Sequence, residues 1–108
     1  NVSFLVGDGK NLPFTKGSFD AVFAFDVMHH IEHYQQALRE VSRVLCRGGY
    51  FCCVDVDKKF MRGIVKWLDN TQSFFSEDEF GATLRSSGFT IKERGRKSFF
   101  FFVIARRR

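Results

Sequence analysis

The chain has 108 residues, 44% hydrophobic, 17% aromatic and 27% charged, with Lys+Arg 17 against Asp+Glu 12 and a formal net charge of +5. That length allows one domain and excludes a multi-domain enzyme, while the apolar content and single proline exclude disordered and collagen-like chains. The longest apolar run, residues 99–105, is far short of the roughly 18 to 20 residues that span a bilayer, so no transmembrane helix is expected.

The first residue is Asn1 and no signal-peptide pattern follows it, so the natural start is expected further upstream. Three cysteines, Cys46, Cys52 and Cys53, cannot all pair internally, and adjacent residues on a strand point to opposite faces. Reduced, buried thiols in a cytoplasmic protein are the expectation. No Cys-x-x-Cys pair is present, which gives a zinc site no support. The basic balance favours anionic partners, nucleic acid among them, although Arg106, Arg107 and Arg108 read as a solvated tail.

Residues 2–6 are mostly apolar and β-branched or aromatic, and they stop at Gly7-Asp8-Gly9, which predicts a strand ending in a loop. Leu12-Pro13-Phe14 then crosses the surface to Gly17-Ser18. Residues 19–25 run apolar apart from Asp20, a continuous pattern that predicts a strand covered on both faces, as in parallel sheets. Over residues 34–46 the period changes: Ala37, Leu38, Val41, Val44 and Leu45 share one face while Arg39, Glu40 and Arg43 face elsewhere. That spacing predicts an amphipathic helix. Gly48 and Gly49 offer the positive φ of a helix C-terminus, and residues 50–54 resume as a buried strand. Strand, helix and strand in this order imply a right-handed parallel crossover.

A second helix is predicted over part of residues 58–68, with Phe60, Ile64, Val65 and Leu68 on one face. A third has clear ends. Ser76 with Glu79 forms a capping box, Phe75 and Phe80 sit where a hydrophobic staple places them, and Gly88 with Leu84 and Phe89 fits a Schellman terminus. Its predicted limits are residues 77–87. Residues 89–94 and 99–105, joined by Gly95-Arg96-Lys97-Ser98, then read as an antiparallel hairpin.

Each of the first three strands is followed by an acid: Asp8, Asp26 and Asp55. In open parallel sheets ligands bind beyond the carboxyl ends of the strands, so these carboxylates either line one rim or cap and solvate the loops.

Val6-Gly7-Asp8-Gly9 with Leu12-Pro13-Phe14, Ser18-Phe19-Asp20-Ala21-Val22 and Val27-Met28-His29-His30-Ile31 carry a resemblance to a known family. In this order they resemble the class I S-adenosylmethionine-dependent methyltransferases, in the subgroup of quinone, sterol and other small-molecule enzymes. Ala37-Leu38-Arg39-Glu40-Val41-Ser42-Arg43-Val44-Leu45 with Gly48-Gly49 completes the resemblance, so residues 2–55 match in register and the rest more loosely. It implies an α/β fold: a partial Rossmann-like methyltransferase sheet holding the family's third to seventh strands, parallel strands plus a C-terminal antiparallel hairpin, and flanking helices. Residues 1–108 would be the C-terminal part of one methyltransferase domain.

The same resemblance implies S-adenosylmethionine as cofactor. Asp8 would accept from the adenine amino group, as an acceptor-only carboxylate suits, and the backbone N–H of Gly9 would meet a ring nitrogen. Phe25 and Asp26 would lie against the cofactor through backbone atoms, although Phe25 stands where small residues are frequent. His30 would line the junction of donor and acceptor, either as the catalytic base for a weakly acidic acceptor or as part of a packed turn that His29 supports. Asp55 faces the substrate or serves its loop. Phe60, Trp67, Phe74 and Phe75 divide between a substrate pocket and the core.

The family's Gly-rich donor loop and the acid that holds the ribose have no counterpart in residues 1–108 and are expected upstream of Asn1. In the family the two missing strands lie between the third and fourth, so the first strand here is expected either to hang loose or to pair directly with the second. The other four can pair contiguously. Catalysis is accordingly expected of a longer parent enzyme rather than of the isolated chain. Three readings compete: methyl transfer to a small lipid, quinone or similar molecule; an RNA or tRNA methyltransferase, motivated by the net charge and by Arg94, Arg96 and Lys97; and a catalytically inactive methyltransferase-like binding module.

Overall fold

The computed structural model describes residues 9–25, 28, 31, 33–56, 75–97 and 100–108. These form strands β1 (Phe19–Phe25), β2 (Leu45–Val56), β3 (Phe89–Lys97) and β4 (Phe100–Arg107), with helices α1 (Tyr34–Val44) and α2 (Glu77–Ser86). The sheet order is β1-β2-β4-β3. β1 and β2 are parallel, whereas β4 is antiparallel to both its neighbours. The mixed α/β sheet, the crossover through α1 and the terminal hairpin are as expected, and the four strands pair contiguously. The strand predicted at residues 2–6 and the helix at residues 58–68 lie outside the described residues.

The apolar stripe of α1 turns Ala37, Leu38, Val41 and Val44 into the core. The helix ends earlier than its periodicity suggests. Leu45 is already extended (φ −78°, ψ 139°), with its N–H still donating to Val41 O, and β2 begins there. Gly48, at φ 80°, therefore serves an irregularity within β2, where the register jumps from Phe19 opposite Leu45 to Ala21 opposite Tyr50. The glycine pair bends a strand and does not end the helix.

α2 follows its sequence signals closely. The Ser76 side chain accepts the Glu79 N–H at 3.1 Å, and Phe75 stacks on Phe80 with ring centroids 4.8 Å apart. Both rings are fully buried, a contribution of roughly 1.5–3 kcal/mol each. At the far end Gly88, at φ 98°, donates to Arg85 O, and Leu84 and Phe89 join one apolar cluster.

Two expectations for the hairpin are corrected. Gly95, Arg96 and Lys97 are not a loop but belong to β3, paired with Phe102, Phe101 and Phe100. Nor are the terminal arginines a solvated tail. Arg106 and Arg107 are part of β4, and Arg108 N–H donates to Gly88 O. Pairing of β4 with both neighbours carries the order to the end of the strand.

Helices α1 and α2 contribute to one face of the sheet, where Phe51, Cys53, Asp55, Phe101, Val103 and Ala105 are buried. The opposite face is open among the described residues. β1 is therefore not covered on both faces: Val22 and Ala24 pack against the core, but Phe23 is 62% and Phe25 59% exposed. Tyr50 on β2 is 42% exposed on the same side. The three thiols are free, yet only Cys53 is buried; Cys46 and Cys52 are half-buried, because alternation along β2 turns Cys52 to the open face.

Candidate functional site

Phe25 pairs with Val54, so the C-terminal ends of β1 and β2 lie side by side and form a rim. The loop leaving β1 is fastened to this rim. Met28 is buried, and its N–H donates to Asp55 Oδ2 at 3.0 Å, while Oδ1 accepts the Val56 N–H at 2.8 Å. Ile31 N–H donates back to Met28 O at 3.2 Å, closing a turn. Of the two readings of Asp55, the structure supports the loop role: the side chain is fully buried and bonds inward to main-chain donors.

The chain enters α1 through His33, a non-glycine residue in the left-handed region at φ 58°, ψ 51°. Its carbonyl accepts the Gln36 N–H at 2.9 Å. Sequence reasoning assigned His33 nothing; a histidine before an apolar helix carries no signal for a left-handed turn.

Gly9 reaches the same rim through Ile31. A Cβ built on Gly9 would stand 3.1 Å from Ile31 Cδ1. The strap that follows Gly9 is clasped by the polar side of α1. Gln36 Nε2 donates to Lys10 O at 3.2 Å, and Glu40 Oε1 accepts the Leu12 N–H at 2.8 Å. Arg43 donates to Phe14 O at 2.7 Å and Leu12 O at 2.9 Å, while its Nε meets Glu40 Oε2 at 2.6 Å. The Arg43 hydrogen bond is the chief reason that the Glu40 carboxyl stays below its usual range, with the Leu12 N–H adding to it against the opposing effect of burial. Glu40 and Arg43 do face away from the core, as expected, but they hold this strap. The signal lay in their i, i+3 spacing beside a proline-containing segment.

Of the predicted site residues, Gly9 and Phe25 are described, and both stand at the rim. Asp8, Asp26, His29 and His30 lie outside the described residues. At the rim the Phe25 ring is exposed on the open face, Ile31 packs against the core on the other, and the turn at Gly9 offers main-chain groups. That chemistry suits a flat heteroaromatic ring such as adenine, which needs apolar faces and a few edge hydrogen bonds. Cys53, next to Asp55 but one, is no nucleophile: burial pushes its thiol up, and the charge of Asp55 adds to the effect.

Beside the rim, Val54, Lys97, Phe100, Phe101 and Phe102 line a cavity of about 390 Å³ with apolar walls. Phe75 is core and not part of it; Phe60, Trp67 and Phe74 lie outside the described residues. The cations of the hairpin are partly engaged. Arg96 Nη2 meets Glu77 Oε2 at 2.9 Å and Arg94 Nε stands 4.0 Å from Glu77 Oε1, so these two face the acidic start of α2. No helix among the described residues is long and apolar enough to cross a membrane.

Comparison with known proteins follows the same lines. A family described as methyltransferase domain matches residues 1–53. Phthiotriol/phenolphthiotriol dimycocerosates methyltransferase of Mycobacterium tuberculosis is 44% identical over 55 residues, 51% of this chain and 20% of that protein. Ubiquinone/menaquinone biosynthesis C-methyltransferase of Bartonella tribocorum is 35% identical over 75 residues, 69% of this chain and 27% of its own length. The matched region thus spans about 20–27% of these relatives. In fold, a methyltransferase of Thermotoga maritima superposes with a TM-score of 0.84 at 22% identity, covering 96% of this chain and 63% of that one.

Proposed function

We propose that this chain, whose residues 1–53 match a methyltransferase domain family and whose fold is shared with a solved methyltransferase, takes part at its rim in transferring a methyl group from S-adenosylmethionine to a small apolar molecule. Residues 1–108 are read as the C-terminal part of one methyltransferase domain within a longer enzyme. The partial coverage of the relatives and of the solved chain supports that reading.

When bound, the donor supplies a methyl group on a positively charged sulfur. The roles proposed for this chain are positioning ones. Asp8 would accept from the adenine amino group, the Gly9 N–H would meet the ring edge, and Phe25 and Asp26 would border the ring. His30 would line the junction with the acceptor and would take a proton where the accepting atom is weakly acidic. Alignment and exclusion of water account for most of the acceleration in such a displacement, so fixing the loop after β1 matters more than any single base.

The observation that carries the acceptor class is the apolar cavity beside the rim, reached from Val54 and walled by Phe100, Phe101 and Phe102. A lipid or quinone tail fits such a lining, and Lys97 at its border suits an anionic or strongly polar head. The names of the two bacterial relatives, which concern a lipid and quinones, point the same way.

The test is a titration of S-adenosylhomocysteine into the ¹⁵N-labelled chain, followed by amide shifts. Weak binding that moves Gly9, Phe25 and Ile31, and that Asp8→Ala abolishes, is expected. Absence of shifts at millimolar ligand, or shifts that Asp8→Ala leaves intact, overturns the donor assignment and favours a non-catalytic module.

A further inference from the structure

At the end of the sheet opposite the rim, Phe19 pairs with Leu45 and Phe89 with Arg107, and here the basic residues collect. Arg107 borders two cavities. One, of about 460 Å³, is lined by Lys16 and Arg39 together with the Ser42 and Ser87 hydroxyls. The other, of about 300 Å³, is lined by Thr90, Lys92, Arg106 and Arg108.

The arginines of β4 are fixed, but not by acids. Arg107 Nη1 donates to Leu45 O at 2.9 Å, and Arg108 donates to Phe89 O at 2.5 Å and Arg85 O at 2.9 Å. Main-chain carbonyls hold these guanidinium groups in place without cancelling their charge. Lys16 and Arg39 are exposed and have no ion-pair partner among the described residues. Of the acids at this end, Glu40 is paired with Arg43, whereas Asp20 takes a hydrogen bond from the Cys46 thiol at 3.4 Å and keeps its charge, which the surrounding cations outnumber. Ser86 Oγ donates to Thr83 O, whereas the hydroxyls of Ser42 and Ser87 are not bonded within the described residues.

A guanidinium held by a carbonyl, uncancelled cations and free hydroxyl donors around a shallow, open depression match a tetrahedral oxyanion. We propose that this end of the sheet, around Lys16, Arg39, Ser42, Ser87 and Arg107, is a phosphate-binding surface separate from the rim. The second cavity lies on the other, open face of the sheet across Arg107, so a polynucleotide backbone passing over this end would meet both, whereas a free phosphate group would occupy one. The proposal does not depend on the donor reading, because no residue of the rim takes part.

The test uses the full chain with two probes, inorganic phosphate followed by amide shifts and a fluorescein-labelled twelve-nucleotide single-stranded RNA followed by anisotropy. Expected are phosphate shifts at Ser42, Ser87 and Arg107, and RNA binding whose log K falls with log salt by roughly 0.7 for each phosphate engaged. Lys16→Gln with Arg39→Gln should weaken RNA about tenfold, whereas Arg94→Gln with Arg96→Gln, which removes the same charge, should change it less than about twofold. Phosphate shifts without RNA binding support the site and assign it to a free phosphate group. Lack of response to both probes overturns the proposal, as does equal weakening by the two double variants. Melting temperatures close to that of the parent show that the variants remain folded.

Discussion

The N–H of Met28 and the carboxylate of Asp55, 27 residues apart in sequence, join the loop after β1 to the end of β2. Met28 opens the turn that Ile31 closes, and Ile31 in turn touches the position of Gly9. A single buried acid therefore couples the end of β2 to the loop after β1 and, through it, to the strap that begins at Gly9. Asp55→Asn should cost about 1–3 kcal/mol in urea unfolding, since an amide group then faces a buried N–H that needs an acceptor. The amide signals of Met28 and Ile31 should shift or broaden more than those of α2. Unchanged signals at both residues would show that the loop does not depend on the acid.

Ser76 accepts from Glu79 at the start of α2, with Glu77, Asp78 and Glu79 in the first turn. Ser76→Ala should lower stability by about 1 kcal/mol, and Ser76→Asp should restore most of it, because a carboxylate accepts the same N–H and suits the helix dipole. A loss that Asp does not recover would place the effect in the packing of Phe75 rather than in the cap.

Glu40 ties the strap to α1 as a carboxylate, and its affinity for protons is lowered on folding, chiefly by Arg43. A group of this sign stabilises the fold above its unfolded pKa, and the contribution disappears as pH falls through the folded value. Glu40→Gln should therefore melt below the parent at pH 7, with the difference closing as pH drops through and below the ordinary glutamate range. Both partners are partly open to solvent, so high salt should narrow the gap as well. A gap that does not vary with pH would show that the charge of the carboxylate contributes nothing, and would assign the effect to the packing of the side chain.

Phe80 and Phe23 separate the two faces of the sheet. Phe80 is fully buried against Phe75, Phe101 and Tyr34, so Phe80→Ala should cost about 3–5 kcal/mol. Phe23 lies on the open face, and Phe23→Thr should stay within about 0.5 kcal/mol while reducing self-association in sedimentation. Large destabilisation by the second change would mean that the open face is covered in solution.

How far the sequence revealed this molecule depends on the range of the forces involved. The ends of α2 were legible because capping box, staple and Schellman contacts are all made within a few residues. α1 was found by period, yet its end was misplaced by one residue pair: Leu45 and Cys46 suit helix and strand equally, and pairing with β1 decides for the strand. The openness of β1 was missed because a continuous apolar run shows that a strand lacks polar positions, not which face has a neighbour. Arg107 and Arg108 bond to carbonyls of Leu45, Arg85 and Phe89, contacts that no local pattern encodes. At the site, family-like motifs singled out Gly9 and Phe25, whereas the Asp55 tie and the Glu40–Arg43 clasp emerged only from tertiary contacts.

Because β4 lies between β2 and β3, the last of the four described strands in chain order occupies an interior place in the sheet. Before residues 100–107 leave the ribosome, β3 and one edge of β2 lack the partner that β4 gives them among the described residues. The nascent chain thus carries a helix and parallel strand pair that cannot be completed by local folding, and closure waits on a late insertion with long-range pairing. Slower synthesis would lengthen that exposed interval, whereas β3 and β4 joining first as a hairpin would shorten the search for β2.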